Sequence, residues 1–472
     1  MNFDLSTEQR KETWDLLTQK LENFYANPYD RKVSPSLDAV EIKEFVADLS
    51  QKLDADTAIE HVIDGLEKYS GHTSHPMYFG LFNPRPNFAS IAADLIVAAY
   101  NPQLAAWSHS PFAAEVEQKL IQVFGEKFGY ESQNIDGIFT SGGAEANHTA
   151  VLCALVHRYP NYTKEGLLAI KKQPLVYCSP ESHHSIAKAV KISGLGFDAV
   201  RNIPLDQNQK VDIKLLDKQI QEDIKNGFDP MLIVATMGST GAGIIDPIKE
   251  LSSLAKTCGL WLHADGAYGG AVILSSQYKH LISGIELADS ITFDAHKWMS
   301  VTMSGSMFIT QHPDILGKTF GIEADYMPKE AGDLKITDAF AHSMQWSRRF
   351  IGLKVYLSLL IYGWEGYEET IDHQFKMGFL LKEKLKADNW EIFNDTDLPI
   401  ICFGKTDFLN NDNQALRICN KIVQSGNAWV SVYKLGKVNT LRACITNYLT
   451  QDNDVNNLIT MLNDENLITY KN

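Results

Sequence analysis

Strand-like and helical patterns alternate over most of this chain, predicting an α/β protein with a mostly parallel sheet covered by helices on both faces. Three observations carry that expectation. From about residue 89 onward, short apolar runs at 137–140, 174–178, 231–236, 260–264, 290–294 and 306–309 read as strands, and helical periodicity separates most of them. Most of those runs end in glycines, hydroxyls, carboxylates or a lysine, and ligands of such sheets bind beyond the carboxyl ends of the strands. At 472 residues the chain is also too long for one core.

Before the alternating region, Ser6 and Gln9 have the spacing of a capping box. Trp14, Leu17, Leu21 and Phe24 recur behind them at helical steps. Further helices are predicted over 36–53 and 55–69, giving an N-terminal helical segment, 1–88, that is either its own domain or an arm for a partner subunit. Helices over 91–100 and 113–128 open a large α/β domain, 89–352. A long helical stretch over 353–386 leads into strands at 390–393, 399–403, 429–433 and 440–446. With helices at 413–425 and 452–462 they make a smaller α+β domain, 353–472.

Composition excludes several classes. Lys plus Arg total 43 against 58 Asp plus Glu, a formal net charge of −15, and no basic cluster offsets it. Nucleic acid and anionic membrane are therefore not expected partners. The N-terminus lacks a signal-peptide pattern, and no run approaches the roughly 18 apolar residues of a spanning helix, so a soluble, cytoplasmic protein is expected. The six cysteines are scattered without a C-x-x-C pair, which argues against zinc and suits a reducing compartment; no metal is expected. Neither H-E-x-x-H nor G-x-S-x-G occurs.

The chemistry is expected where strands end. In S-I-T-F-D-A-H-K-W-M-S-V-T-M-S-G-S, residues 290–306, Lys297 sits between two apolar runs. Poor solvation favours a neutral amine, the form that attacks a carbonyl to make a Schiff base, although many such lysines simply bury the stem and solvate the head. T-S-G-G-A-E-A-N, residues 140–147, joins a strand to a helix. That junction suits an anion, with glycines that let a phosphate approach, or is a plain turn. It lacks the P-loop lysine and the dinucleotide G-x-G-x-x-G, so a phosphate-bearing cofactor without an adenosine half fits better. In W-L-H-A-D-G-A-Y-G-G, residues 261–270, Asp265 ends a buried strand where a carboxylate can pair with a protonated pyridine nitrogen, and Ala267 leaves room for a flat ring; a cap is the plainer reading. His183 and His184 follow another strand, and Thr240 and Asp246 follow a fourth.

Together, T-S-G-G-A-E-A-N, S-H-H-S-I-A-K-A, A-T-M-G-S-T-G-A-G-I-I-D-P, H-A-D-G-A-Y-G-G and D-A-H-K-W resemble the group II pyridoxal-phosphate-dependent amino acid decarboxylases, from G-H-T-S-H-P at 71–76 to the C-terminus. The resemblance implies fold type I with a seven-stranded sheet, pyridoxal 5′-phosphate (PLP) as cofactor, an amino acid substrate, and a homodimer with the site at the subunit interface. It implies that Lys297 carries the cofactor, Asp265 pairs with the ring nitrogen, and Ala267 and His183 flank the ring. Gly143 and Ala144 would hold the phosphate, Thr240 a ring oxygen, Asp246 the ring-nitrogen site, and His296 would stand beside the lysine. Phe320 to Met327 resembles the mobile catalytic loop, whose Tyr326 returns a proton to the substrate carbon after carbon dioxide leaves; relatives with phenylalanine there tend to be aldehyde synthases. Arg442 matches an arginine that binds the substrate α-carboxylate. The stretch 75–107 is expected along the side-chain pocket, with Phe82 and Trp107 favouring an aromatic substrate and Arg85 an acidic one. One departure is charged: many relatives have N-P-H-K where this chain has Asp294-Ala295-His296-Lys297, and a carboxylate near a phosphate is electrostatically unfavourable.

Overall fold

A computed structural model describes residues 4–322, 336–406, 408 and 413–464. By its internal packing the chain divides into two units: Phe82–Gly378 with Asn394–Ile401, and Met1–Leu81 with Phe379–Phe393 and Cys402–Asn472.

The first of these holds a seven-stranded sheet. Its strands are β1 (Asp136–Thr140), β2 (Pro174–Cys178), β3 (Val200–Asn202), β4 (Asp229–Thr236), β5 (Trp261–Asp265), β6 (Ser290–Asp294) and β7 (Ser306–Thr310). Their spatial order is β1-β7-β6-β5-β4-β2-β3. The pairs β2·β3, β2·β4, β4·β5 and β5·β6 are parallel, while β7 runs antiparallel to both β6 and β1. Strands β1, β2, β5, β6 and β7 are buried along their whole length, which explains their continuous apolar runs in place of alternation. The sheet is therefore the mostly parallel one expected. Of its strands only β3 escaped the sequence reading, because three partly exposed residues, Val-Arg-Asn, carry no apolar run.

A second, four-stranded sheet has β8 (Glu391–Ile392), β9 (Ile400–Gly404), β10 (Ser431–Leu435) and β11 (Val438–Cys444) in the order β10-β11-β9-β8, with β8, β10, β11 and β9 from Cys402 onward in the other unit. Its first helix, Thr7–Ala26, starts at the expected capping box, with Ser6 and Gln9 bonded reciprocally. The helix expected over 36–53 is shorter, Ala39–Phe45. Asp48 explains the stop: its carboxylate accepts the Ser50 N–H and hydroxyl, and its carbonyl accepts the Gln51 N–H, a local turn that competes with helix. The long helix Leu353–Ala387 is broken at Gly363, whose φ of 66° is left-handed.

Candidate active site

The carboxyl ends of β4, β5 and β6 meet the start of the helix Gly143–Arg158 around a cavity of about 250 Å³. Register places them level. Thr236 of β4 pairs with Asp265 of β5, and Asp265 pairs with Thr292, two residues before Asp294 of β6. The following loops pack backbone to backbone, since a Cβ on Gly269 would lie 1.9 Å from the Met237 carbonyl oxygen. Gly238 turns there at φ 105°, a conformation that favours glycine.

At one end of the cavity the helix Gly143–Arg158 presents its first turn. Gly143 and Ala144 precede the first helical bond, made by the Glu145 N–H to the Gly142 carbonyl at 3.0 Å, so their amides are available to an anion. Asp294 lies over them. A Cβ on Gly143 would fall 2.8 Å from Asp294 Oδ2, so glycine is required for this approach. Lys297, in the helical turn Ala295–Trp298, brings Nζ to 3.0 Å from the same Oδ2. Its neighbours are thus not only the apolar runs that the sequence places around it, but also a buried carboxylate.

Asp265 stands elsewhere on the wall and is held on both oxygens. Oδ2 accepts from Asn147 Nδ2 at 2.8 Å, and Oδ1 accepts from the Ala267 N–H at 3.2 Å. Asn147 is itself fixed, its Oδ1 lying 2.7 Å from Thr292 Oγ1 and 3.0 Å from His263 Nε2. His263 Nδ1 lies 2.8 Å from Ser290 Oγ, which also accepts from Trp261 Nε1. Full burial pushes the His263 imidazole down to about 4, against the opposing pull of Asp265.

His183, Thr240 and Ala267 also line the cavity. His183 Nδ1 is 2.7 Å from Ser185 Oγ. Although His183 is an exposed residue, the packed atoms around it lower its pKa through desolvation, with Asp265 acting the other way. Tyr268 lines the cavity and carries a stack outside the lining: Phe82 lies on Tyr268 (4.2 Å between centroids) and Tyr268 on Trp298 (4.6 Å), with the Phe82 ring 5.5 Å from Lys297 Nζ.

Other expected residues fall outside the cavity lining. Asp246 stands behind β4, accepting the Thr236 N–H at 2.8 Å and the Val211 N–H at 3.1 Å; burial raises its carboxyl to about 6. It therefore holds the strand end rather than facing the cavity. His296 is buried beside β7, 3.3 Å from Ser306 Oγ, and desolvation lowers its pKa. Arg85 is buried away from the lining. Trp107 is tied down, its indole N–H donating to Glu115 and its backbone N–H to Asp338. Arg442 belongs to the other unit, where Nη1 donates to the Gly80 carbonyl at 2.8 Å. Tyr326 lies outside the described residues. The sequence reading did not select Asn147, Thr236, Tyr268 or Gly238 as site residues. Asn147 was legible in part, because it lies four residues after Gly143 and so on the same helix face.

Fold and site together define a class: an α/β enzyme with one lysine, one fully bonded carboxylate and one helix-start anion cradle around a single cavity. The model of the pyridoxal-dependent decarboxylase conserved domain matches residues 41–405, and the chain belongs to that family. It is 30% identical over 390 residues to an aromatic-L-amino-acid decarboxylase of Bacillus atrophaeus, covering 80% of this chain and 78% of that protein. It is 30% identical over 339 residues to the human cysteine sulfinic acid decarboxylase, covering 71% and 68%. It is 27% identical over 470 residues to a 4-hydroxyphenylacetaldehyde synthase of Rhodiola rosea, covering 96% and 93%. In fold it is similar to the crystal structure of mouse CSAD (TM-score 0.90, 24% identity, 98% of this chain and 99% of that one).

Proposed function

We propose that this protein decarboxylates an L-amino acid to the amine and carbon dioxide at a PLP joined to Lys297. The observation that carries the reading is the convergence on one cavity of Lys297, Asp265, His183 and the free first turn at Gly143 and Ala144. These residues fit the group. The side-chain-free cradle of Gly143 suits a phosphate, and the doubly held Asp265 carboxylate suits a ring N–H.

PLP, when bound, supplies an electron sink for the bond that breaks at the substrate α-carbon. Asp265, fixed by Asn147 and Ala267, holds the proton on the ring nitrogen. Gly143 and Ala144 bind the phosphate through their amides, and Thr240 contacts the ring oxygen. Ala267 bounds one face of the ring, and His183 covers the other with an imidazole biased to the neutral form. Asp246 keeps the β4 end in register, and His296 supports Lys297 from behind. Lys297 Nζ would be the point of attachment for the cofactor aldehyde. Tyr326, by its identity in the sequence, or His183 donates the proton to the α-carbon. Of the four residues expected at the substrate, Phe82 is the one beside Lys297; Arg85, Trp107 and Arg442 retain a proposed role in substrate recognition.

A homodimer with the site at the subunit interface is part of the proposal. Trp14, Leu21, Val62 and Leu66 of the N-terminal helices are exposed, as an arm that wraps a partner requires. A cytoplasmic setting is supported by six free cysteines. Among the described residues no helix is long and apolar enough to cross a membrane.

The test is a panel of aromatic, acidic and other L-amino acids with PLP, trapping products. Carbon dioxide with a stable amine supports the reading. Aldehyde with ammonia supports the second reading, an aldehyde synthase, which the likeness to the Rhodiola protein brings in. Y326F should move product from amine toward aldehyde.

A further inference from the structure

Asp294 stands where its charge is least expected. It is 2% exposed, its Oδ2 meets Lys297 at 3.0 Å, and its Oδ1, among the described residues, has no hydrogen-bond partner. Both oxygens lie over Gly143, within 2.8 and 3.1 Å of where a Cβ would be. The charged groups facing it are Lys297 and His296 of its own turn (His296 Nε2 at 3.9 Å), His183 from the loop after β2, and Asp265 on β5; Lys354 acts more remotely through His296. A buried carboxylate oxygen without a donor is destabilising, so it is poised to accept a proton.

Resting on the reading above, we infer that Asp294 receives and keeps the proton of Lys297 when PLP is captured and, as a neutral acid, donates a hydrogen bond to the phosphate. The ammonium must become an amine before it attacks. Asp294 Oδ2 is in direct contact and takes the proton. The amine nitrogen then bonds to the aldehyde carbon, the aldehyde oxygen leaves as water with the two remaining amine protons, and the carboxyl keeps the third. Neutral Asp294 then presents to a phosphate in the Gly143 cradle what an asparagine amide presents in relatives with N-P-H-K, a donor without a negative charge. The carboxylate-for-amide exchange is thereby accommodated without placing two anions in contact.

Proton counting tests this apart from activity. PLP is titrated into the full chain stripped of cofactor, in weakly buffered solution with an indicator dye, and Kd is followed across pH. In the natural chain the lysine proton stays in the protein. In D294N and in D294A it goes to solvent, so each variant releases one more proton per PLP bound, and its Kd improves relative to the natural chain by about tenfold per pH unit. Using both variants guards against one misfolding, which circular dichroism checks. Equal proton release in natural chain and variants overturns the inference while leaving the decarboxylase reading intact. Failure of PLP to give a Lys297-dependent visible band in any of the proteins, with K297A as control, overturns that reading and the inference with it.

Discussion

Two aspartates on neighbouring parallel strands, Asp265 and Asp294, are both buried and both open on the same cavity, yet their surroundings are opposites. Asp265 has a donor on each oxygen, and behind it a chain of bonds runs through Asn147 and His263 to Ser290. Asp294 has one cation on one oxygen and, among the described residues, no hydrogen-bond partner on the other. A fully satisfied buried carboxylate is a fixed electrostatic element, preorganised for a charge that must stay put. A half-satisfied one is poised to change partner or protonation. Residue type and burial alone do not distinguish these roles; the donors do.

The comparison breaks most sharply at Asp265. In D265N the permanent negative charge is lost although Asn147 and Ala267 remain, and turnover should fall by on the order of 10³-fold, as for other lost preorganised charges. Steady-state kinetics at saturating PLP checks this; a loss under about tenfold would remove Asp265 from the ring nitrogen. Next comes N147A, which strips Asp265 Oδ2, Thr292 and His263 of a shared partner. It should cost about 1–3 kcal/mol in a denaturant melt, with kcat falling more than KM rises.

His263 sharpens the comparison through pH. Its folded pKa of about 4 is below the unfolded value, so the unfolded chain takes up the proton first and stability is lost as pH falls from about 6.5 to 4. That term is on the order of 3 kcal/mol, and H263Q should lack it. Asp246, raised to about 6, acts in the other direction, gaining stability as pH falls through 6. Only the difference between variant and natural chain therefore isolates His263. The smallest effect is the change in stability of cofactor-free D294N. Losing the partner of Lys297 and relieving the unsatisfied oxygen offset one another, so the melt should stay within about 1 kcal/mol.

Much of this was legible in the chain, for physical reasons. Strands buried on both faces must be apolar throughout, so β2 and β6 were found to the residue, while β3, with Arg201 and Asn202 in three residues, had no such mark. Strand ends in a parallel sheet must hold the site, so Asp265, Lys297 and the Gly143 turn stood out by position. What remained hidden was side-chain pairing. Nothing local says that Asn147 reaches across 118 residues to Asp265, or that Asp246 turns its carboxylate to a strand backbone and not to the cavity.

The amino-acid order by itself determined the sheet, its site-bearing edge and the lysine, because burial and turn chemistry are written in local residue types. Only the tertiary structure decided which carboxylate is saturated with donors and which is left with a cation and a bare oxygen. The deciding donor, Asn147, lies 118 residues from Asp265, while Ala267 and Lys297 are near neighbours whose reach depends on how the backbone turns, and hydrogen bonding is a property of where atoms meet.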